Sequence, residues 1–150
     1  MARFDTTGLN EVLREMQRMG LMTGEVAEAM IKTGAEYVKL AWQQAADECD
    51  HRVTGDMINS IGSPRQPQNI GDGLAIDIYP QGKDHKGVRN AEKAFILHYG
   101  SSKIKGSRWV DRADEISEQT AIPAMENVFY EYVETGRINE TAPMAYARRR

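Results

Sequence analysis

Hydrophobic and polar positions along the chain divide it into stretches of different period. Leu9, Val12, Leu13 and Met16 recur at steps of three and four, the spacing of one helical face. Asp5, Thr6 and Thr7 offer N-caps and Gly20 a stop. Thr23-Gly24 then opens a longer stripe: Val26, Met30, Thr33, Tyr37, Leu40 and Gln44. Alanines at 27, 29, 35, 41, 45 and 46 add helix propensity between them. The pattern predicts a helix from about Thr23 to about Cys49, roughly 40 Å long at ~1.5 Å per residue. The stripe is too short for a coiled coil and reads as core-facing. Gly34, inside it, suggests a close packing contact.

The helical period stops between Thr54 and Asn90, where Gly and Pro punctuate the chain. Leu74, Ile76 and Ile78 alternate with Ala75, Asp77 and Tyr79, a half-buried strand. Ser60 to Gln66 is its expected partner, with Asn69 to Gly73 as the loop. Ala94 to Tyr99, apolar on both faces through Phe95, Ile96 and Leu97, reads as a third, covered strand. The polar stretches Gln81–Arg89 and Ser101–Ser107 flank it as expected mobile loops.

A last helical pattern begins at Trp109 and runs through Ala113, Ile116, Thr120, Met125, Phe129, Tyr132 and Val133 to a stop at Gly136. Asp111, Asp114 and Glu115 occupy its favourable N-terminal end. Pro123 predicts a kink, or a restart capped by Thr120. The fold class is therefore α+β: N-terminal helices, a small antiparallel sheet of three or more strands, and a long C-terminal helix packed on the sheet. Residues 1–136 form one domain, and 137–150 a tail of weak periodicity that is expected to be flexible. Leu40, Ile76, Phe95, Leu97 and Trp109 are the expected core positions.

Composition narrows the class. The chain has 150 residues, a 41% apolar fraction and a net charge of −3. It can bury a core, and its mild acidity argues against a protein that coats nucleic acid. A single cysteine excludes an internal disulfide and suits a reducing compartment. The longest uninterrupted apolar run, Ala94 to Leu97, is far short of the ~20 residues a membrane helix needs, and no signal peptide is visible.

Candidate chemistry is sparse. No phosphate-binding loop or nucleophile elbow is present. Cys49, Asp50 and His51, with His98, have metal-binding residue types, but adjacent helical residues cannot all face one ion. Cys49 with His98 as base lacks any surrounding Cys-His signature, and a lone cysteine is ordinarily a small buried hydrophobe. Asp47, Glu48 and Asp50 read as a charged helix end. No catalytic, metal or cofactor site follows. The basic residues Lys83, Lys86, Arg89, Lys103, Lys105 and Arg108 sit in the two loops and, with Arg148 to Arg150, can meet phosphates or an acidic protein surface.

Three patches carry a family resemblance. Thr54-Gly55-Asp56-Met57-Ile58-Asn59-Ser60-Ile61 follows a long helix. Gly87-Val88-Arg89-Asn90-Ala91-Glu92-Lys93-Ala94-Phe95-Ile96-Leu97-His98-Tyr99-Gly100 comes next, and Arg108-Trp109-Val110-Asp111-Arg112-Ala113 enters the last helix. In this order they resemble the tail-completion, or neck (head-tail joining), proteins of long-tailed bacteriophages and prophages, over about residues 23–133. His98 stands where that pattern often has Glu, Arg108 where it often has Pro, and Val53 where Pro often precedes Thr-Gly.

The resemblance implies a non-enzymatic virion protein with no cofactor, made in the host bacterial cytoplasm. Its implied partners are further copies of itself, in a hexameric ring, and other neck and tail proteins. DNA passes through without specific binding, and no membrane is involved. Thr54, Gly55, Ser60, Tyr99, Gly100 and Trp109 are its structural motif positions. The basic loop residues are then the candidate assembly surface, facing Glu25, Glu28, Asp47 and Glu48 of a neighbour. A competing reading is a small nucleic-acid-associated adaptor using the basic loops and the Arg tail.

Overall fold

A computed structural model describes residues 2–5 (backbone only), 24–51, 55–63, 66–71 and 73–138. The expected helix around Leu9 to Met16, Thr54 and the Arg-rich end of the tail lie outside these residues. The elements in chain order are β1 (Ala2–Asp5), α1 (Gly24–Glu48), the single turn α2 (Asp56–Asn59), β2 (Ile61–Gly62), β3 (Gln68–Ile70), β4 (Gly73–Pro80), α3 (Asn90–Tyr99) and α4 (Trp109–Thr135). The class is α+β, with a small antiparallel sheet and a long C-terminal helix.

β4 is the centre of the sheet. β1 pairs along one edge, from Ala2 opposite Ile78 to Asp5 opposite Ala75. β2 and β3 share the other edge, Ile61 opposite Pro80 and Gln68 opposite Ala75. Among the described residues of the expected partner segment, Ile61 and Gly62 alone pair with β4. The main partner on that side begins later, because Ile70 and Gly73 close a two-residue hairpin in which Gly71 has φ 59°, the positive φ such turns require. β1 is too short for a periodicity signal, and its role as an edge strand was not anticipated.

The core lies between α1, α4 and the sheet. α1 buries Val26, Met30, Thr33, Val38 and Trp42, together with Ala27, Ala29, Gly34, Ala35, Ala41, Ala45 and Ala46. The alanines are thus more than helix formers, since they line the face that α4 approaches. Tyr37, Leu40 and Gln44, assigned to the stripe, are only half-buried. α4 answers with Trp109, Ala113, Ser117, Ala121, Met125, Val128 and Phe129, largely a four-residue repeat, so small side chains face small side chains at mid-helix. It runs without interruption past Pro123. Thr120 caps nothing, its hydroxyl donating to the Ile116 carbonyl at 2.9 Å.

The expected third strand is helix α3. The run Phe95-Ile96-Leu97 has no periodicity that separates strand from helix, and strong helix formers, Ala91 to Ala94, precede it. Burial instead follows Asn90, Ala94 and His98, one residue per helical turn. Phe95, expected in the core, is 59% exposed, and Leu97 is half-buried, whereas Ile76 and Trp109 are buried as expected.

Candidate functional site

The three motif patches meet around Trp109. Its side chain is fully buried. Its ring stands edge-on to Trp42 with centroids 5.2 Å apart, and its indole N–H donates to the Ala94 carbonyl at 3.3 Å. Met57 and Ile58, from the patch that begins at Thr54, enter the same core cluster. Trp42 carries half of this aromatic pair; the sequence pattern missed it because it lies beside the Tyr37–Leu40–Gln44 stripe rather than on it.

Tight backbone contacts hold the patches. Gly55 and Gly100 have φ values of 89° and 88°, a region favoured by glycine. Ser60 donates to the Met57 carbonyl at 2.7 Å as the chain leaves α2. Gly100 ends α3, its N–H donating to the Ile96 carbonyl at 2.7 Å. A Cβ on Gly100 would sit 2.6 Å from the Gly106 nitrogen, and one on Gly106 would sit 2.5 Å from the Tyr99 carbonyl carbon. The 100–106 loop is therefore closed at its neck by two crossing backbones. Gly106 carried no sequence signal.

α4 starts from an unusual cap. Arg108 has φ 56°, which few L-residues adopt and which proline, the residue often found there in the resembling pattern, cannot. No side chain of Arg108 caps the helix. Instead the Val110 N–H donates to His98 Nδ1 at 3.3 Å, so the ring acts as cap acceptor from a neighbouring helix. His98 Nε2 stands 4.0 Å from Asp111 Oδ1. His98 is thus a structural residue with both nitrogens directed at the start of α4.

The loop before α3 is organised by Asp84, whose carboxylate is buried. It accepts the N–H groups of Lys86 at 2.9 Å and Val88 at 2.8 Å and pairs with Lys93. The Lys93 contact and the Val88 N–H hold the Asp84 carboxyl down at about 2. His85 adds a 2.6 Å contact to Asp56. A segment expected to be a mobile loop thus carries its own hydrogen-bond network.

These elements border an open groove of about 460 Å³, whose lining includes Trp42, Tyr79, Arg89, Phe95, Tyr99 and Arg108. Phe95 and Tyr99 lie side by side, ring centroids 4.7 Å apart, and both are mostly exposed. The Arg108 guanidinium sits 5.6 Å over the Tyr99 ring and reaches Asp111 at 3.0 Å. Of the six candidate assembly residues, Arg89 and Arg108 come together at this groove. Lys83 and Lys86 project from the loop before α3, Lys103 and Lys105 from the loop after it, and all six are exposed. The acidic positions assigned to a neighbour are partly engaged within the chain: Glu28 pairs with Lys32 at 2.7 Å and Glu48 with Arg112 at 3.1 Å.

The other candidates form no reactive set. Burial, then Glu48 and Asp50, push the Cys49 thiol up, which disfavours the nucleophilic thiolate. His51 Nε2 lies 2.7 Å from Ser107 Oγ, but that hydroxyl donates to the Leu97 carbonyl at 3.0 Å, leaving the ring as donor rather than base. Among the described residues no three His, Cys, Asp or Glu side chains are grouped to hold a metal ion, and no helix is long and apolar enough to cross a membrane. No family model, curated protein or solved structure matches the chain.

Proposed function

We propose that this chain is a structural subunit of a bacteriophage or prophage neck, acting as a repeated ring subunit that completes the tail or joins it to the head. The observation that supports this most is the segregation of charge. Residues 81–108 hold seven Lys and Arg against two Asp and Glu, a net of +5. α4, directly after, holds seven Asp and Glu against one Arg, a net of −6. Opposite charge on successive segments of one chain suits contact between different patches of successive subunits, the heterologous geometry a ring requires. The small overall negative charge suits a passage for DNA that must not adhere. The motif patches, on this reading, build the scaffold that presents those surfaces.

Deleting the gene in its phage and viewing the lysate by electron microscopy tests this. Separate filled heads and unjoined or abnormal tails are expected; normal, infectious, fully joined virions overturn it. A nucleic-acid adaptor is the competing reading, favoured by the exposed Phe95 and Tyr99 rings beside cationic loops. It requires DNA affinity that falls steeply with salt.

A further inference from the structure

We propose that the groove formed by Arg89, Phe95, Tyr99 and Arg108 is the docking site for the C-terminal half of α4 of a second copy of this chain. This rests on the ring reading above and names the two surfaces that meet. The groove is lined by two exposed aromatic rings and two arginines. The C-terminal half of α4 offers the complement. Ile122, Tyr130 and Val133 are exposed there, Tyr130 at 58% and Val133 at 53%, and Glu126 and Glu134 are exposed beside them. At ~100° per residue, Ile122, Val133, Glu126 and Tyr130 fall within about a quarter turn of one another. Each surface thus has the apolar centre and charged rim of an interface, with opposite sign.

Geometry makes the occupant another molecule. Asp111 borders the groove, and Tyr130 lies 19 residues further along the same helix, roughly 28 Å away at ~1.5 Å per residue. One chain cannot fold its own α4 end into its own groove, whereas two copies can meet head to tail. Such a contact leaves a free groove at one end and a free helix at the other, so it propagates until a rotation closes it. Nucleic acid fits less well. Asp111 lies at the groove, with Asp114, Glu115 and Glu118 following it on the same helix, and these repel phosphate. The left-handed backbone of Arg108 supports a site here, because strained residues persist where their side chain is needed in place.

Charge exchange tests the pairing. One variant carries Arg89→Glu and Arg108→Glu, the other Glu126→Lys and Glu134→Lys. Each alone sets like charges against like and is expected to weaken self-association at low salt by about tenfold or more relative to wild type. Mixed in equal amounts, they alternate with every contact attractive again. Assembly then returns to within a few-fold of wild type, which also shows that both variants are folded. Sedimentation at millimolar concentration is the readout. A wild-type protein that stays monomeric there, variants that associate as wild type does, or a mixture that fails to recover overturns the pairing. So does a groove variant whose only loss is binding of a single-stranded oligonucleotide, which assigns the groove to nucleic acid. Failure here combined with unjoined virions on gene deletion leaves the neck role standing. Recovery here with normal virions on deletion removes that role and keeps the docking.

Discussion

Trp109 and Phe95 are both large aromatics near the middle of the molecule, and the fold treats them in opposite ways. Trp109 is fully buried, fixed by a ring contact to Trp42 and a hydrogen bond to Ala94, while Phe95 is 59% exposed beside Tyr99. The same contrast separates their regions. The α1–α4 pair is built from alanines, methionines and branched aliphatics and holds the chain together. The segment from Gln81 to Arg108 spends its aromatics and cations on the outside, and its order comes from hydrogen bonds and crossing backbones. Stability therefore resides mainly in the helix pair, and the docking proposed above falls to the segment that joins the sheet to α4.

The largest expected effect follows directly. Trp109→Ala should cost about 3–5 kcal/mol in equilibrium denaturation, whereas Phe95→Ala should change stability by less than about 1 kcal/mol while weakening self-association. Comparable stability losses for the two would erase the contrast.

How far the sequence could reveal each region depends on what orders it. α1 and α4 were readable to within a residue or two, because burial imposes a 3.6-residue period and Gly136, with φ 69°, marks a stop. β4 was readable from strict alternation. α3 was not: three consecutive apolar residues satisfy strand and helix equally, and its buried positions, Asn90, Ala94 and His98, include two polar residues that hydropathy does not count. The groove was half readable. Arg89 and Arg108 stood out as loop cations, but their convergence needs α3 to be a helix that brings Phe95 and Tyr99 to the same groove. Gly106 and Trp42 were missed because a backbone crossing and a ring pair leave no periodic trace.

Next in size are the crossing glycines. Gly106→Ala should cost about 2–3 kcal/mol, since the new methyl meets backbone that has little room to move. Gly100→Ala should cost at least as much, with an unfavourable positive φ added. Gly62→Ala is the control: its nearest neighbour would lie at 3.7 Å, on the Gln81 side chain, and a change within about 0.5 kcal/mol is expected. Urea denaturation of the three variants ranks them. Equal values would show that the 100–106 neck is not tightly closed.

Asp84 gives a pH-dependent effect. Its carboxyl drops from an ordinary 3.8 to about 2 in the folded chain, so the folded state favours the charged form. The stability it contributes is complete above about pH 4 and is lost as pH falls from there through about 2. Asp84→Asn should lower the melting temperature at neutral pH. The difference from wild type should narrow between about pH 4 and pH 2. A difference that stays constant across that range would mean that the carboxylate's charge does not organise the loop.

The smallest effects are one substitution that raises stability and one that leaves it nearly unchanged, one in each region, with different consequences for association. Thr33 lies in the helix pair with its hydroxyl buried and without a hydrogen-bond partner. Thr33→Val replaces that hydroxyl with a methyl of similar size and should gain about 1 kcal/mol. Arg108 holds a positive φ that glycine adopts without steric cost. Arg108→Gly should recover up to about 1 kcal/mol of backbone strain. It also loses the exposed pair with Asp111, worth about 0–1 kcal/mol, and the stacking on Tyr99, worth about 0.5–1 kcal/mol at an exposed site. The net change in stability at this position is therefore close to zero. Self-association separates the two: Thr33→Val should leave it unchanged, and Arg108→Gly should weaken it, because the groove loses one of its two arginines. If both variants associate like wild type, the strain at Arg108 serves only the turn into α4.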